Sequence, residues 1–492
     1  MVRRSPRARR RHREHQTARD RGECWAVFRW SVMIEPRRVS EVRDCCGQSS
    51  ITSHRAIWRS LSRNLPLPLR VHARTRSRAV AERVCPIQVV ESAVSRPGRY
   101  SRLPVKPTNS VLSSYGTTIF EVMSRLAAEH DAVNLGQGFP EGESPEDVLQ
   151  AAADALVTGW NQYPPMMGVP ELRQAVAAHN KRFYGFDVNW QTQVMVTSGA
   201  TEALAATLLG LVEPGDEVVL VEPLYDCYLP MVERGAGVPK FVRLEPPSWE
   251  LSEKALRDAF SERTKLLLLN TPMNPTGKVF TRAELELIAK VAREHDAYVV
   301  CDEAYEHLVF DDRVHAPLMG FPGMADRTVR IGSAGKTFSL TGWKVGYITA
   351  PPELLAPIAK CHQFLVFTTP PNLQQGVAYG LGKDDEYFGK LAGDLAAKRD
   401  RFGAGLTALG FDVLPCEGTY FLSASGRGAG LEGTDVEICQ RLVAEARVAA
   451  VPLSAFYEGE GPTEFIRFSF CKPNETLDEA LRRLGEYLGA KP

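Results

Sequence analysis

Lys336 and Lys344 lie in the segment Ser333-Ala334-Gly335-Lys336-Thr337-Phe338-Ser339-Leu340-Thr341-Gly342-Trp343-Lys344, directly after a β-branched run, Thr328–Ile331. A lysine amine in a crowded, cationic pocket loses its proton near neutral pH and can attack a carbonyl. The second lysine can hold an anion and depress the first by like-charge repulsion. Upstream stand Asn274-Pro275-Thr276-Gly277 and Asp302-Glu303-Ala304-Tyr305. Asp302 closes an apolar run, Ala297–Cys301, and ligands gather at the carboxyl ends of strands in open α/β sheets. Taken singly, Asp302 reads as a helix cap, Tyr305 as packing and Asn274 as a turn former. Together with Lys336 they read as one site. Ser198-Gly199-Ala200-Thr201 ends the run Val194–Thr197 and opens a helix, whose first N–H groups can cradle a phosphate. Tyr225, just past Glu217–Glu222, offers a ring face for stacking. Arg467 interrupts the apolar run Phe465–Phe470. A buried arginine is costly unless paired; its partner is either an internal acid or a substrate carboxylate held in bidentate fashion.

Short apolar runs that would position these residues alternate with helical patterns. Val194–Thr197, Glu217–Glu222, Lys265–Asn270, Ala297–Asp302 and Thr328–Ile331 read as strands. Phe120–Glu129, Thr201–Val212 and Arg282–Glu294 have helical spacing. That alternation predicts an α/β domain whose mostly parallel sheet is covered by helices. A linker helix is expected near 351–380, and after Pro370-Pro371 comes a long helical tract, about Lys390–Leu409. Short strands at Thr419–Ser423 and Phe465–Phe470 and a terminal helix, Leu477–Leu488, suit a smaller α+β domain.

The chain has 492 residues, 44% apolar and 24% charged, and a formal net charge of zero. The zero hides a split: residues 1–100 contain 23 Arg, no Lys and 8 acidic residues. Arginine clusters without sustained periodicity read residues 1–102 as disordered or as translated upstream sequence outside the native protein. A basic head for nucleic acid and a targeting peptide are the competing readings. A DNA-binding winged helix-turn-helix needs regular apolar spacing, which this stretch lacks, so no nucleic-acid partner is expected. No apolar run reaches the roughly 20 residues of a membrane span. Six cysteines are scattered through the body without CxxC spacing, as in a reduced cytoplasmic protein, and no metal site is expected.

From about Ser110 onward the chain resembles the fold-type-I pyridoxal-phosphate (PLP) enzymes, specifically the class I/II aminotransferases. Asn134-Leu135-Gly136-Gln137-Gly138-Phe139-Pro140, Glu222-Pro223-Leu224-Tyr225-Asp226-Cys227-Tyr228 and the lysine segment are most similar to the kynurenine/glutamine/methionine branch. Bacterial N-succinyldiaminopimelate aminotransferases share much of the pattern. The resemblance implies a large domain (146–365) with a mostly parallel seven-stranded sheet, a smaller C-terminal domain (366–492), and an arm (103–145) joining the latter. It implies that Lys336 forms the imine with pyridoxal 5'-phosphate and carries the proton in a ping-pong transamination. Asp302 would face the pyridine nitrogen, Asn274 and Tyr305 the phenolate oxygen, and Tyr225 the ring. Ser333, Lys344, Gly199, Ala200 and Thr201 would hold the phosphate. Arg467 and the Gly136 backbone would bind the substrate carboxylate, with Asn274 beside them. Tyr163 would reach into a partner subunit's site, which implies a homodimer with shared sites. The substrates implied are a neutral, aromatic or sulfur-containing amino acid and a 2-oxo acid. C–S β-lysis and N-succinyldiaminopimelate transamination are the alternatives. Two departures stand out: Lys344 takes a position that is arginine in many relatives, and no second arginine is available for a distal carboxylate.

Overall fold

The computed structural model describes residues 106–141 and 144–489. The expectation for residues 1–102 therefore lies outside the described residues. An N-terminal helix, Ile119–Glu129, has Thr118 as its cap, accepting from the Glu121 N–H. It leads into a two-residue strand, β1 (Val133–Asn134).

The large sheet is built from β2 (Val194–Thr197), β3 (Glu217–Glu222), β4 (Val238–Arg243), β5 (Thr264–Asn270), β6 (Tyr298–Asp302), β7 (Thr328–Ser333) and β8 (Gly346–Thr349). Its order is β2-β8-β7-β6-β5-β3-β4. Neighbours run parallel except β8, which is antiparallel to both β2 and β7. Parallel strands are covered on both faces, so they read as continuous apolar runs rather than alternating ones. In β3, Val219 and Val221 enter one apolar cluster with the helix Arg282–Glu294, while Val218 and Leu220 enter another with the helices Gly199–Leu211 and Pro352–Leu365. The helix Arg282–Glu294 starts at a capping box in which Thr281 and Glu284 satisfy each other's backbone N–H groups.

The segment expected as one linker helix is two, Pro352–Leu365 and Pro371–Leu381. Pro370, Pro371 and the left-handed Phe367 interrupt the helical ladder between them. Pro371–Leu381 packs on the helices Glu146–Thr158 and Pro170–Tyr184, beside β2. The long helix Asp385–Ala408 follows. It covers an antiparallel sheet of β9 (Asp412–Val413), β10 (Phe421–Ser425), β12 (Val451–Pro452) and β13 (Phe465–Ser469), in the order β12-β13-β10-β9. Phe402, Leu406, Leu422, Phe468, Leu477 and Leu484 share the core beneath it. β11 (Val448–Ala449) pairs in parallel with β1, so the N-terminal segment is stitched to the C-terminal part. Among the described residues, no helix is long and apolar enough to cross a membrane.

Candidate active site

The carboxyl ends of β5, β6 and β7 deliver Asn270, Asp302 and Ser333 to the rim of one cavity. The N-terminus of Gly199–Leu211 closes its floor and the short helix Ala334–Thr337 brings in Lys336. All ten residues expected around the cofactor line this cavity: Gly199, Ala200, Thr201, Tyr225, Asn274, Asp302, Tyr305, Ser333, Lys336 and Lys344.

The Lys336 amine donates to the Tyr420 hydroxyl at 2.9 Å and lies 3.5 Å from the Gly138 carbonyl. Burial pulls it down to about 8; Lys344 and Arg467 push the same way, against Cys471 and Asp302. Like-charge repulsion from Lys344 is thus the lesser cause, and desolvation the greater. Asp302 Oδ2 accepts the Tyr228 hydroxyl at 2.7 Å and Oδ1 accepts the Ala304 N–H at 3.2 Å. Burial raises Asp302 despite these donors, so a cation placed against it would relieve the cost. At the other end, Lys344 forms no ion pair among the described residues, and its side chain lies against Gly199. A Cβ at Gly199 would stand 3.2 Å from Lys344 Cε, and φ there is +76°, so glycine lets this lysine approach the helix N-terminus. An unpaired ammonium beside free helix amides suits a phosphate, and a buried unpaired carboxylate suits a protonated ring nitrogen. The residues fit pyridoxal 5'-phosphate.

Arg467 is 1% exposed, yet no acid pairs with it among the described residues. Nη1 donates to Asn274 Oδ1 at 2.9 Å and Nη2 to the Gly136 carbonyl at 2.8 Å, while Nε is buried without a partner. The rings of Phe421, Phe456 and Phe120 surround the guanidinium at 4.0, 5.0 and 5.2 Å. Burial lowers Arg467 to about 10. The internal salt bridge weighed from sequence is not formed among the described residues. Tyr163 is the one expected residue that stands apart. It is 81% exposed and packs edge-on against Phe367 at 5.5 Å.

Three contributors were not singled out as site residues from sequence. Tyr228 lies three positions beyond Tyr225 in the same motif, so a helical turn returns it to Asp302, and that spacing was the available signal. Tyr420 and the Gly138 carbonyl reach Lys336 from 84 and 198 positions away, with no sequence signal. Behind the sheet, Arg330 donates to Glu303 at 2.8 Å and to Glu306 at 3.2 Å, bracketing Tyr305. His179, Glu306 and His307 lie close enough to share a metal. However, Glu306 already accepts from Tyr184, Tyr347 and Arg330.

A family model described as aminotransferase class I and II matches residues 130–484. The chain belongs to the class I and II aminotransferases, whose members use pyridoxal 5'-phosphate. It is 46% identical to a probable N-succinyldiaminopimelate aminotransferase of Mycobacterium tuberculosis over 77% of this chain and 98% of the relative. It is 37% identical to the kynurenine–oxoglutarate transaminase of Dictyostelium discoideum over 80% of this chain and 98% of that one. A crystal structure identifying a methionine aminotransferase function in YbdL from Escherichia coli superposes with a TM-score of 0.75 at 39% identity. It covers 78% of this chain and 100% of its own. The expected recognition, the α/β architecture with a mostly parallel seven-stranded sheet, and the transaminase activity on amino and 2-oxo acids all stand.

Proposed function

We propose that this aminotransferase moves the amino group of a neutral, aromatic or sulfur-containing amino acid to a 2-oxo acid, with Lys336 as the imine-forming and proton-carrying residue. The carrying observation is the surroundings of Arg467: a buried guanidinium, with no ion-pair partner among the described residues, framed by three phenylalanine rings. A carboxylate fits its free N–H groups, and an apolar side chain fits the rings.

Bound pyridoxal 5'-phosphate supplies the aldehyde and the electron-withdrawing ring. The protein's residues do the rest. Lys344, Ser333 and the amides of Gly199, Ala200 and Thr201 would anchor the phosphate. Asp302, braced by Tyr228, would keep a proton on the ring nitrogen. Asn274 and Tyr305 would serve the phenolate oxygen, and Tyr225 would take the ring face. Arg467, held by Asn274 and the Gly136 carbonyl, orients the substrate carboxylate. Lys336, whose proton affinity burial lowers, would then act as the base near neutral pH.

The protein in this reading is a homodimer. Trp160, Tyr163 and Phe364 are each more than 80% exposed, an apolar patch suited to a second copy from which Tyr163 completes the neighbouring site. The six cysteines among the described residues are all free, which supports a cytoplasmic location. The arm 103–145, large domain 146–365 and small domain 366–492 are its working units. The 46% identity to the mycobacterial protein favours a second reading, transamination of N-succinyldiaminopimelate. A half-reaction screen decides between the two: the PLP form is mixed with single amino acids and with N-succinyldiaminopimelate, and conversion of the cofactor is followed by absorbance. Conversion by methionine or aromatic donors supports the first reading. Conversion by the succinylated substrate alone establishes the second.

A further inference from the structure

We infer that Tyr420 is a positioning residue for Lys336, docking its amine whenever that amine is not bonded to the cofactor. The inference rests on the proposed role of Lys336. Tyr420 stands just before β10, preceded by Thr419 in the left-handed region at φ +67°. Its ring is buried, edge-on to Tyr305 at 5.3 Å and to Phe421 at 4.8 Å, so the hydroxyl has little freedom. A phenol carries one proton. Tyr420 gives that proton to the Gly138 carbonyl at 2.6 Å, so toward Lys336, at 2.9 Å, it can only accept. One N–H of the amine is thereby fixed, which sets the direction of its remaining groups, including the lone pair that must meet the substrate Cα–H. Tyr420 loses no proton and no bond to it is made or broken. Asp302, Lys344, Arg467, Cys471 and Tyr305 also bear on this part of the site. The first four act on its charge, and none of the five is hydrogen-bonded to the amine. A position thus rests on Tyr420 and, more weakly, on the Gly138 carbonyl. The tie also links the two sheets: Lys336 follows β7 of the large one, and Tyr420 immediately precedes β10 of the small one.

Tyr420→Phe keeps the ring and removes one oxygen. With methionine and a 2-oxo acid, kcat should fall by about tenfold or more with KM within about threefold, since misplacing a proton-transfer group costs rate rather than binding. The isotope effect from Cα-deuterated methionine should rise. In full-length protein freed of cofactor, acylation of Lys336, followed by mass spectrometry, should move to lower pH, because the hydroxyl no longer stabilises the ammonium form. Incorporating 3-fluorotyrosine at 420 restores a hydroxyl and should recover most of the rate. Unchanged kcat, isotope effect and acylation profile would overturn the inference. So would a fluorotyrosine protein as slow as Tyr420→Phe, which would trace the loss to ring packing. A wild type whose borohydride-reduced cofactor is attached elsewhere than Lys336 would instead refute the role given to that lysine.

Discussion

Replacing Arg467 with methionine separates binding from folding. A guanidinium has five N–H donors; two are occupied, by Asn274 Oδ1 and the Gly136 carbonyl. The rest include the orphaned Nε, and a carboxylate held by two of them gains two charge-assisted bonds. At roughly 1.5–3 kcal/mol each, their loss amounts to about 3–6 kcal/mol. At about 1.4 kcal/mol per decade, kcat/KM should fall by about 10²–10⁴. Stability should move differently. Burial without an acid already lowers Arg467 to about 10, so the free protein bears the cost of that charge. Methionine, of similar length and apolar, removes the cost among Phe120, Phe421 and Phe456, and replacing buried charge by apolar groups is often neutral or stabilising. The assay compares methionine with 3-(methylthio)propylamine, the same amine without its carboxylate, in single half-reactions, alongside thermal unfolding. Methionine should lose its rate while the amine keeps its own, and the unfolding midpoint should hold or rise. An equal loss for both compounds, or a methionine rate within about tenfold of wild type, would refute the clamp.

Lys336→Ala should fold and bind the cofactor without a covalent link, lose the cofactor mass adduct after borohydride reduction, and lose turnover by about a thousandfold or more; a retained adduct would contradict this. Tyr228→Phe removes the hydroxyl that holds Asp302 ionised, so Asp302 should take up a proton more readily and kcat should drop by about tenfold; a smaller fall for Asp302→Ala than for Tyr228→Phe would reverse the order of roles. Lys336 titrates near 8 in the folded protein, below the usual lysine value of 10.5. The unfolded chain therefore binds more protons between those values, and the stability of cofactor-free protein, read from urea midpoints, should rise with pH from about 8 upward. Lys336→Met should flatten that rise. Tyr163→Ala should leave the unfolding of an isolated chain unaffected, since the ring is 81% exposed, but slow turnover of the assembled enzyme; unchanged turnover would remove Tyr163 from the partner's site.

Sequence carried the site best where one strand end or one motif supplies it. Asp302 and Ser333 close β6 and β7, while Gly199, Ala200 and Thr201 open the helix after β2. Each of these is a junction between an apolar run and a polar residue, and such junctions are visible in a linear chain. β4 and β8 were not read as strands. β4 carries Pro239, Lys240 and Arg243 on the sheet's edge, where side chains stay partly exposed. β8 spans four residues beginning at Gly346, too short to show a period. The contribution of desolvation at Lys336 was also hidden, because burial is decided by what the rest of the fold lays over the residue.

The contacts that sequence could not show are those made between the two sheets. Arg467 stands in the small sheet, yet it is held by Asn274 from the large domain's loop and by Gly136 from the N-terminal segment. Tyr420 binds the Gly138 carbonyl and Lys336 in the same way. Gly136 and Gly138 flank Gln137, and each lends its carbonyl to one side chain in or beside the small sheet. Their glycines fit the space: a Cβ at Gly138 would stand 2.5 Å from the Phe421 ring, and one at Gly136 would stand 3.1 Å from Val451. A segment that looks like a plain Gly/Pro-rich loop is thus the strap whose carbonyls hold Arg467 of the small sheet, Tyr420 beside that sheet and the Lys336 amine. Any change that shifts the strap moves Arg467 and Tyr420 together. Gly138→Ala should accordingly impair carboxylate binding and proton transfer in one variant, whereas Arg467→Met and Tyr420→Phe separate them.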